Sequence, residues 1–190
     1  QVIRLNGQGP VLLVVPQGDT RFEAYNPLLR ERTGNGITFE GFYEWLAHSR
    51  AYAETDWREA DPWNPPTSVT LAPGESTSYG LRFLLADSIR DIETALAAHG
   101  RPVAVGVPGY VLPMDLDGRL FLKYPEAVES IAVEPAGAIT ISEDGDRNGW
   151  QAYRLKGNTW GRARVTVTYA DGLQQTIHYK VVKPAAEAVA

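Results

Sequence analysis

The sequence predicts a mainly β chain carrying one or two short helices, and three observations lead there. Two apolar runs rich in β-branched residues, Val11–Val15 and Val103–Val107, are bounded by glycine or proline, as short buried strands are. From Ser130 onward, short alternating segments recur with Gly, Asp or Pro between them. Only two stretches carry a helical period, one starting near Phe39 and one near Ser88.

In chain order, Val11–Val15 lies between Gly9-Pro10 and Pro16, the pattern of a central strand. Gly18-Asp19 turns the chain, and Thr20–Tyr25 is expected to return as a second strand. Asn26-Pro27 and Thr33-Gly34-Asn35-Gly36 mark a loop. Thr38 is placed to cap a helix from Phe39 to about Tyr52, with Glu40 near the positive end of its dipole. Pro62, Pro65 and Pro66 exclude helix beyond it, so Thr55–Pro66 reads as an ordered, irregular loop rich in tryptophan. Val69–Leu71 and Ser78–Ala86, separated by Pro73-Gly74, read as a hairpin. Asp87 or Ser88 then caps a helix whose Ile89, Ile92, Ala95 and Leu96 form one apolar face, with Asp91 in capping-box register. Gly100 and Pro102 stop it.

After the Val103–Val107 strand, Pro108 and Pro113 hold a bent, extended backbone around Tyr110, a ring either packed at a corner or presented to a neighbour. Leu116–Lys123 completes this part. Ser130–Glu134, Ala138–Ser142, Gln151–Lys156, Ala163–Tyr169 and Gln175–Val182 follow as short strands, with Asp171-Gly172 a strong hairpin signal between the last two. That spacing suggests a small immunoglobulin-like sandwich. The expected organisation is a β portion over 1–124, an immunoglobulin-like domain over 125–184 and a tail over 185–190.

Composition narrows the function. A chain of 190 residues with 44% hydrophobic and 22% charged residues has an ordinary globular balance. A net charge of −5 with scattered basic residues argues against nucleic acid and anionic membrane as partners. The absence of cysteine removes disulfides, thiolate metal sites and cysteine nucleophiles. No run is long and apolar enough to span a bilayer. The chain opens at Gln1, which leads us to expect a processed product or a piece of a longer protein.

The most informative stretch is FEGFYEWLAHSRAYAETDWREADPWNPP, Phe39–Pro66, which sets three of the five tryptophans among carboxylates, a histidine and two arginines. A pyranose packs its C–H face on an aromatic ring while charged side chains hydrogen-bond its hydroxyls. Glu44, Trp45, His48, Asp56, Trp57 and Trp63 are therefore candidate carbohydrate-binding residues. The competing explanation makes Phe39, Phe42, Tyr43 and Leu46 core residues of a helix. Trp57 and Trp63 have no period that would bury them together.

Other chemistry is thinly supported. Glycoside hydrolysis needs two facing carboxylates. Glu40, Glu44, Glu54, Asp56, Glu59 and Asp61 are the available stock, and the four-residue spacing of Glu40 and Glu44 equally describes an exposed acidic helix face. Asp144-Gly145-Asp146-Arg147-Asn148-Gly149 begins as a calcium loop does, making Asp144, Asp146 and Asn148 candidate ligands. Leu155 stands where the bidentate acid belongs, and a polar hairpin tip gives the same letters. His48, His99 and His178 lack ligand spacing, and no HExxH or phosphate-binding glycine loop occurs. No cofactor is expected beyond that candidate calcium ion.

The segments EAYNPLL (Glu23–Leu29), TFEGFYEWLAHSRAYAETDW (Thr38–Trp57), LAPGES (Leu71–Ser76), RPVAVGVPGYVLP (Arg101–Pro113) and WGRARVTVTYADG (Trp160–Gly172) resemble a poorly characterised family of secreted glycosidase-like proteins. In that family a galactose-mutarotase-like β-sandwich is followed by an immunoglobulin-like segment and a six-hairpin (α/α) barrel. The resemblance implies that this chain is the latter part of the sandwich plus the immunoglobulin-like segment. It further implies secretion, an acid and base that reside on the absent barrel, and no catalytic residue here. Its partners would be a poly- or oligosaccharide and the barrel of the same parent protein, with the Trp57–Trp63 loop offered to the substrate cleft. Three readings follow: a non-catalytic portion of a glycoside hydrolase, a free-standing carbohydrate-binding module, and a structural spacer. A module keeps Trp57 or Trp63 exposed near carboxylates, a spacer buries both, and an excised portion exposes an apolar patch.

Overall fold

A computed structural model describes residues 2–18, 20–27, 43–184 and 187. The chain is mainly β, as the sequence predicts. It divides into two compact units, one of Gln1–Asn6 with Pro10–Leu85 and one of Gly7–Gly9 with Ala86–Ala190.

The first unit is built from two small sheets. Strand β1 (Val11–Gln17) pairs with β4 (Gly80–Ala86), and β2 (Ala24–Pro27) pairs antiparallel with β3 (Tyr43–Leu46). Alternation puts Val11, Leu13 and Val15 of β1 on a buried face, while Leu84 and Ala86 are the buried residues of β4. Three expectations fail here. The Val69–Leu71 strand does not form, because β4 takes β1 rather than a sequence neighbour as its partner. The returning strand at Thr20 is absent; extended pairing starts only at Ala24, and Thr20 is buried with Oγ1 accepting from Gly80 N at 2.9 Å. The helix expected from Phe39 to Tyr52 is replaced by strand β3, and helix α1 covers only Arg50–Glu54. Thr38, Phe39, Glu40 and Phe42 lie outside the described residues.

The second unit carries the core. A 3-10 turn (Ile89–Asp91) runs into helix α2 (Ile92–Ala98), with Ser88 accepting from Arg90 N and donating to the Asp91 carboxylate, as the capping signal predicts. Strands β5 (Val103–Val107), β7 (Asp117–Lys123), β10 (Trp150–Gly157) and β9 (Ile139–Arg147) form one sheet in that order. Strands β6 (Val111–Pro113), β12 (Gln174–Val182), β11 (Gly161–Tyr169) and β8 (Val128–Glu134) form the other. Leu120, Leu122 and Leu155 from the first sheet meet Leu112, Val165, Val167 and Val181 from the second, which makes this a β-sandwich. Strands before and after Tyr124 share both sheets, and the compact units part at Leu85 instead. The shift in composition at Pro125 therefore marks a turn within the sandwich. Tyr110 packs, the first of its two alternatives: its ring meets Tyr179 edge-on and its hydroxyl donates to Ala104 O at 2.9 Å, while the residue stays partly exposed.

Among the described residues, the buried Tyr179 hydroxyl finds no partner, and burial raises its pKa. An unsatisfied buried hydroxyl costs about 1–3 kcal/mol. Tyr179→Phe should therefore melt at or above the wild-type temperature, and a drop of several degrees would show that the hydroxyl has a hidden partner.

Candidate functional site

The aromatic stretch is organised by a residue that sequence reading did not single out, Glu23. Its carboxylate accepts from Ser49 N at 2.8 Å, Ser49 Oγ at 2.7 Å, Thr67 N at 3.0 Å and the Thr67 hydroxyl. Asn64 Nδ2 adds a bond to the Glu23 backbone oxygen at 3.0 Å. Burial pushes the Glu23 pKa up, but bonds from Thr67 and Ser49 outweigh it and hold the carboxyl below its ordinary value. The same carboxylate leaves α1 without a side-chain cap. Ser49 stands at the N-cap, but its hydroxyl is committed to Glu23.

His48 continues the network. The Thr67 hydroxyl donates to Glu23, so its oxygen accepts from His48 Nδ1–H at 2.7 Å, which leaves Nε2 to accept from the Tyr79 hydroxyl. His48 is thus a half-buried bridge between Thr67 and Tyr79, two points of the α1–β4 connection.

The remaining candidates separate into two aromatic groups. On the β2–β3 sheet Tyr25 stands directly opposite Trp45, their ring centroids 6.2 Å apart, and Phe22 approaches Trp45 at 5.8 Å. Tyr25 is 56% exposed and Trp45 44%. In the second group Trp57 stacks on Tyr52 at 4.7 Å and 20°, half-buried, and Tyr52 donates to Glu44 at 3.0 Å. Trp63 is 55% exposed and Asp56 lies exposed in the turn after α1. Trp57 is therefore a packing residue in large part, while Trp45 and Trp63 present ring surface to solvent. Tyr25 was expected in a strand but not as a binding residue, because only pairing with a strand eighteen residues or more away sets its ring beside Trp45.

The hairpin tip between β9 and β10 holds the candidate calcium ligands. Asp144 is bound by Arg154 Nε at 2.9 Å, Arg147 Nη2 at 2.9 Å and Arg119 Nε at 3.4 Å. The hydrogen bond from Arg154 leads the causes that lower its pKa. Asp146 accepts from Gly149 N at 3.0 Å and Asn148 adopts a left-handed φ of 56°, both features of a tight polar turn. Among the described residues no group of three or more His, Cys, Asp or Glu side chains could hold a metal ion. Asp144's oxygens are instead engaged by guanidinium groups.

No helix among the described residues is long and apolar enough to cross a membrane. No curated protein matches the sequence. A solved structure described as a polysaccharide lyase is similar in fold, with a TM-score of 0.65 and 16% identity. The match covers 98% of this chain and 25% of that one, so the chain spans about a quarter of that structure's length. Over residues 1–190 the sequence matches the model of a family of unknown function, DUF5695, and the chain belongs to that family.

Proposed function

We propose that this chain is a non-catalytic β-sandwich portion of a longer, secreted carbohydrate-active enzyme, and that the β2–β3 surface contacts polysaccharide. The observation that carries this is the side-by-side, solvent-facing pair of Tyr25 and Trp45, positioned by cross-strand register and buttressed by Phe22. Flat rings fixed on a sheet bind sugar faces with little loss of side-chain freedom. Glu44, next to Trp45 along β3, faces the other side of the strand, where Tyr52 donates to it, and Trp63 supplies a further exposed ring in the same unit. The fold likeness to a polysaccharide lyase supports polysaccharide as the substrate class. The resemblance to glycosidase-like proteins supports hydrolysis as the chemistry of the parent.

The test is affinity electrophoresis of the chain through gels containing a panel of soluble polysaccharides. Trp45→Ala and Tyr25→Ala should each weaken retention about tenfold, roughly 1.4 kcal/mol. Equal retention of wild type and both variants on every polymer would end this reading.

One observation favours a second role for the same unit. Phe83 and Leu85 alternate with the buried Leu84 and Ala86 along β4, so the sheet presents large apolar side chains to solvent. Such a face suits a contact with the remainder of the parent protein.

A further inference from the structure

The outer face of the β5-β7-β10-β9 sheet gathers cations on a chain of net charge −5. Arg119 of β7 and Arg154 of β10 are directly opposed across the ladder, a register at which like charges repel. Asp144 lies between them and Arg147, and one carboxylate cannot neutralise three guanidinium groups. Arg119 and Arg154 each reach Asp144 through Nε, and their side chains remain 47% and 56% exposed while Asp144 is only 9% exposed. Lys123 and Lys156 occupy the same face by strand alternation; Lys156 lies 3.7 Å from Asp117, and Lys123 sits over the Trp150 ring at 5.4 Å. Asp117, Asp144 and Asp146 are outnumbered by these five cations. Beside the arginine pair lies a cavity of about 210 Å³, walled by Val107, Pro108 and Gly118 and by Asp117, Arg119 and Arg154.

We propose that the Arg119–Arg154 pair and this cavity form a subsite for the carboxylate of a uronic-acid-bearing polysaccharide. The inference takes its polymer class from the function proposed above but uses none of the β2–β3 residues. Guanidinium groups suit a planar carboxylate because their N–H donors match its two oxygens. Asp144 already receives Arg154 on one oxygen and Arg119 and Arg147 on the other, and the Arg119 and Arg154 side chains stay about half exposed. The apolar wall of Val107 and Pro108 gives a sugar ring a surface to rest on, and the cavity has room for one ring rather than an oligomer.

Affinity electrophoresis of the full chain in polygalacturonate, alginate and hyaluronan tests this, with the carboxyl-reduced form of each polymer as control. Retardation is expected in at least one acidic polymer, weakening as salt rises. In the matching carboxyl-reduced polymer it should fall at least tenfold. Arg119→Gln with Arg154→Gln should abolish that difference. Since these changes strip Asp144 of partners, Asp144→Asn is the complementary variant: it releases the arginines and should tighten binding severalfold. A purely internal ion cluster predicts no tightening. Trp45→Ala should weaken acidic and reduced polymers alike, so loss of the aromatic reading and loss of this one are separable. No retardation in any acidic polymer, equal retardation in the reduced forms, or an unchanged double variant would overturn the proposal. So would competition by monomeric uronate as strong, per carboxylate, as by polymer, because the site would then serve a free small acid.

Discussion

Glu23→Ala should loosen the segment that carries the aromatic surface, with a loss of about 2–4 kcal/mol. The carboxylate satisfies the amides of Ser49 and Thr67 and both hydroxyls, and Ser49 is almost wholly buried. Removing the acceptor strands at least one buried donor and frees the Thr67 hydroxyl that orients His48. Amide hydrogen exchange should accelerate at Ser49 and Thr67 before it changes at β11 or β12. Glu23→Gln keeps one acceptor and should lose about 1 kcal/mol. The acid limb gives an independent check. Glu23's folded pKa lies below its ordinary 4.5, so its contribution is fully present above the unfolded value and is lost as pH falls through the folded one. The wild type should therefore destabilise in acid more steeply than Glu23→Gln. Parallel acid limbs, with unchanged exchange at Ser49 and Thr67, would show that the network holds nothing in place.

Leu120→Ala should be the most damaging single truncation in the sandwich. Leu120 is fully buried on β7, a strand flanked by β5 and β10, and faces the core shared with the other sheet. Large-to-small changes at such sites cost about 2–5 kcal/mol, because the lost burial is compounded by a void. For a chain of this size a loss near 3 kcal/mol lowers the melting temperature by roughly 6–12 °C. Calorimetry of the variant checks this, and a fall below about 2 °C would mean that the sheets close over the gap. Val107→Ala, on a half-exposed position of β5, is the contrast and should change little.

The second half of the chain was legible because its strands obey simple alternation. In β11 the residues Ala163, Val165, Val167 and Tyr169 are buried and those between them are not, so period and burial coincide. The Asp171-Gly172 turn and the Ser88 cap were equally readable, since each is decided by residues within four positions. The segment around Tyr43–Leu46 was not. Its apolar spacing fits a helix and its alternation fits a strand, and pairing with Ala24–Pro27 decides the matter. Likewise Val69–Leu71 has strand composition, but no neighbour is available once β4 has joined β1. At the site, the exposed tryptophans were visible in composition, whereas Glu23 gave no local sign. Its four donors lie 26 and 44 residues downstream.

The position of β12 has a consequence for how the protein is made. It lies inside its sheet, between β6 and β11, and pairs in parallel with Val111–Pro113, some seventy residues earlier. Neither that pairing nor the closing of the sandwich can occur until Val182 has emerged from the ribosome. Loops of this span close slowly, so the apolar strands β5–β7 must wait, uncovered, during synthesis of more than fifty residues. That interval, rather than the finished fold, is when this chain is most exposed to aggregation and most in need of chaperones.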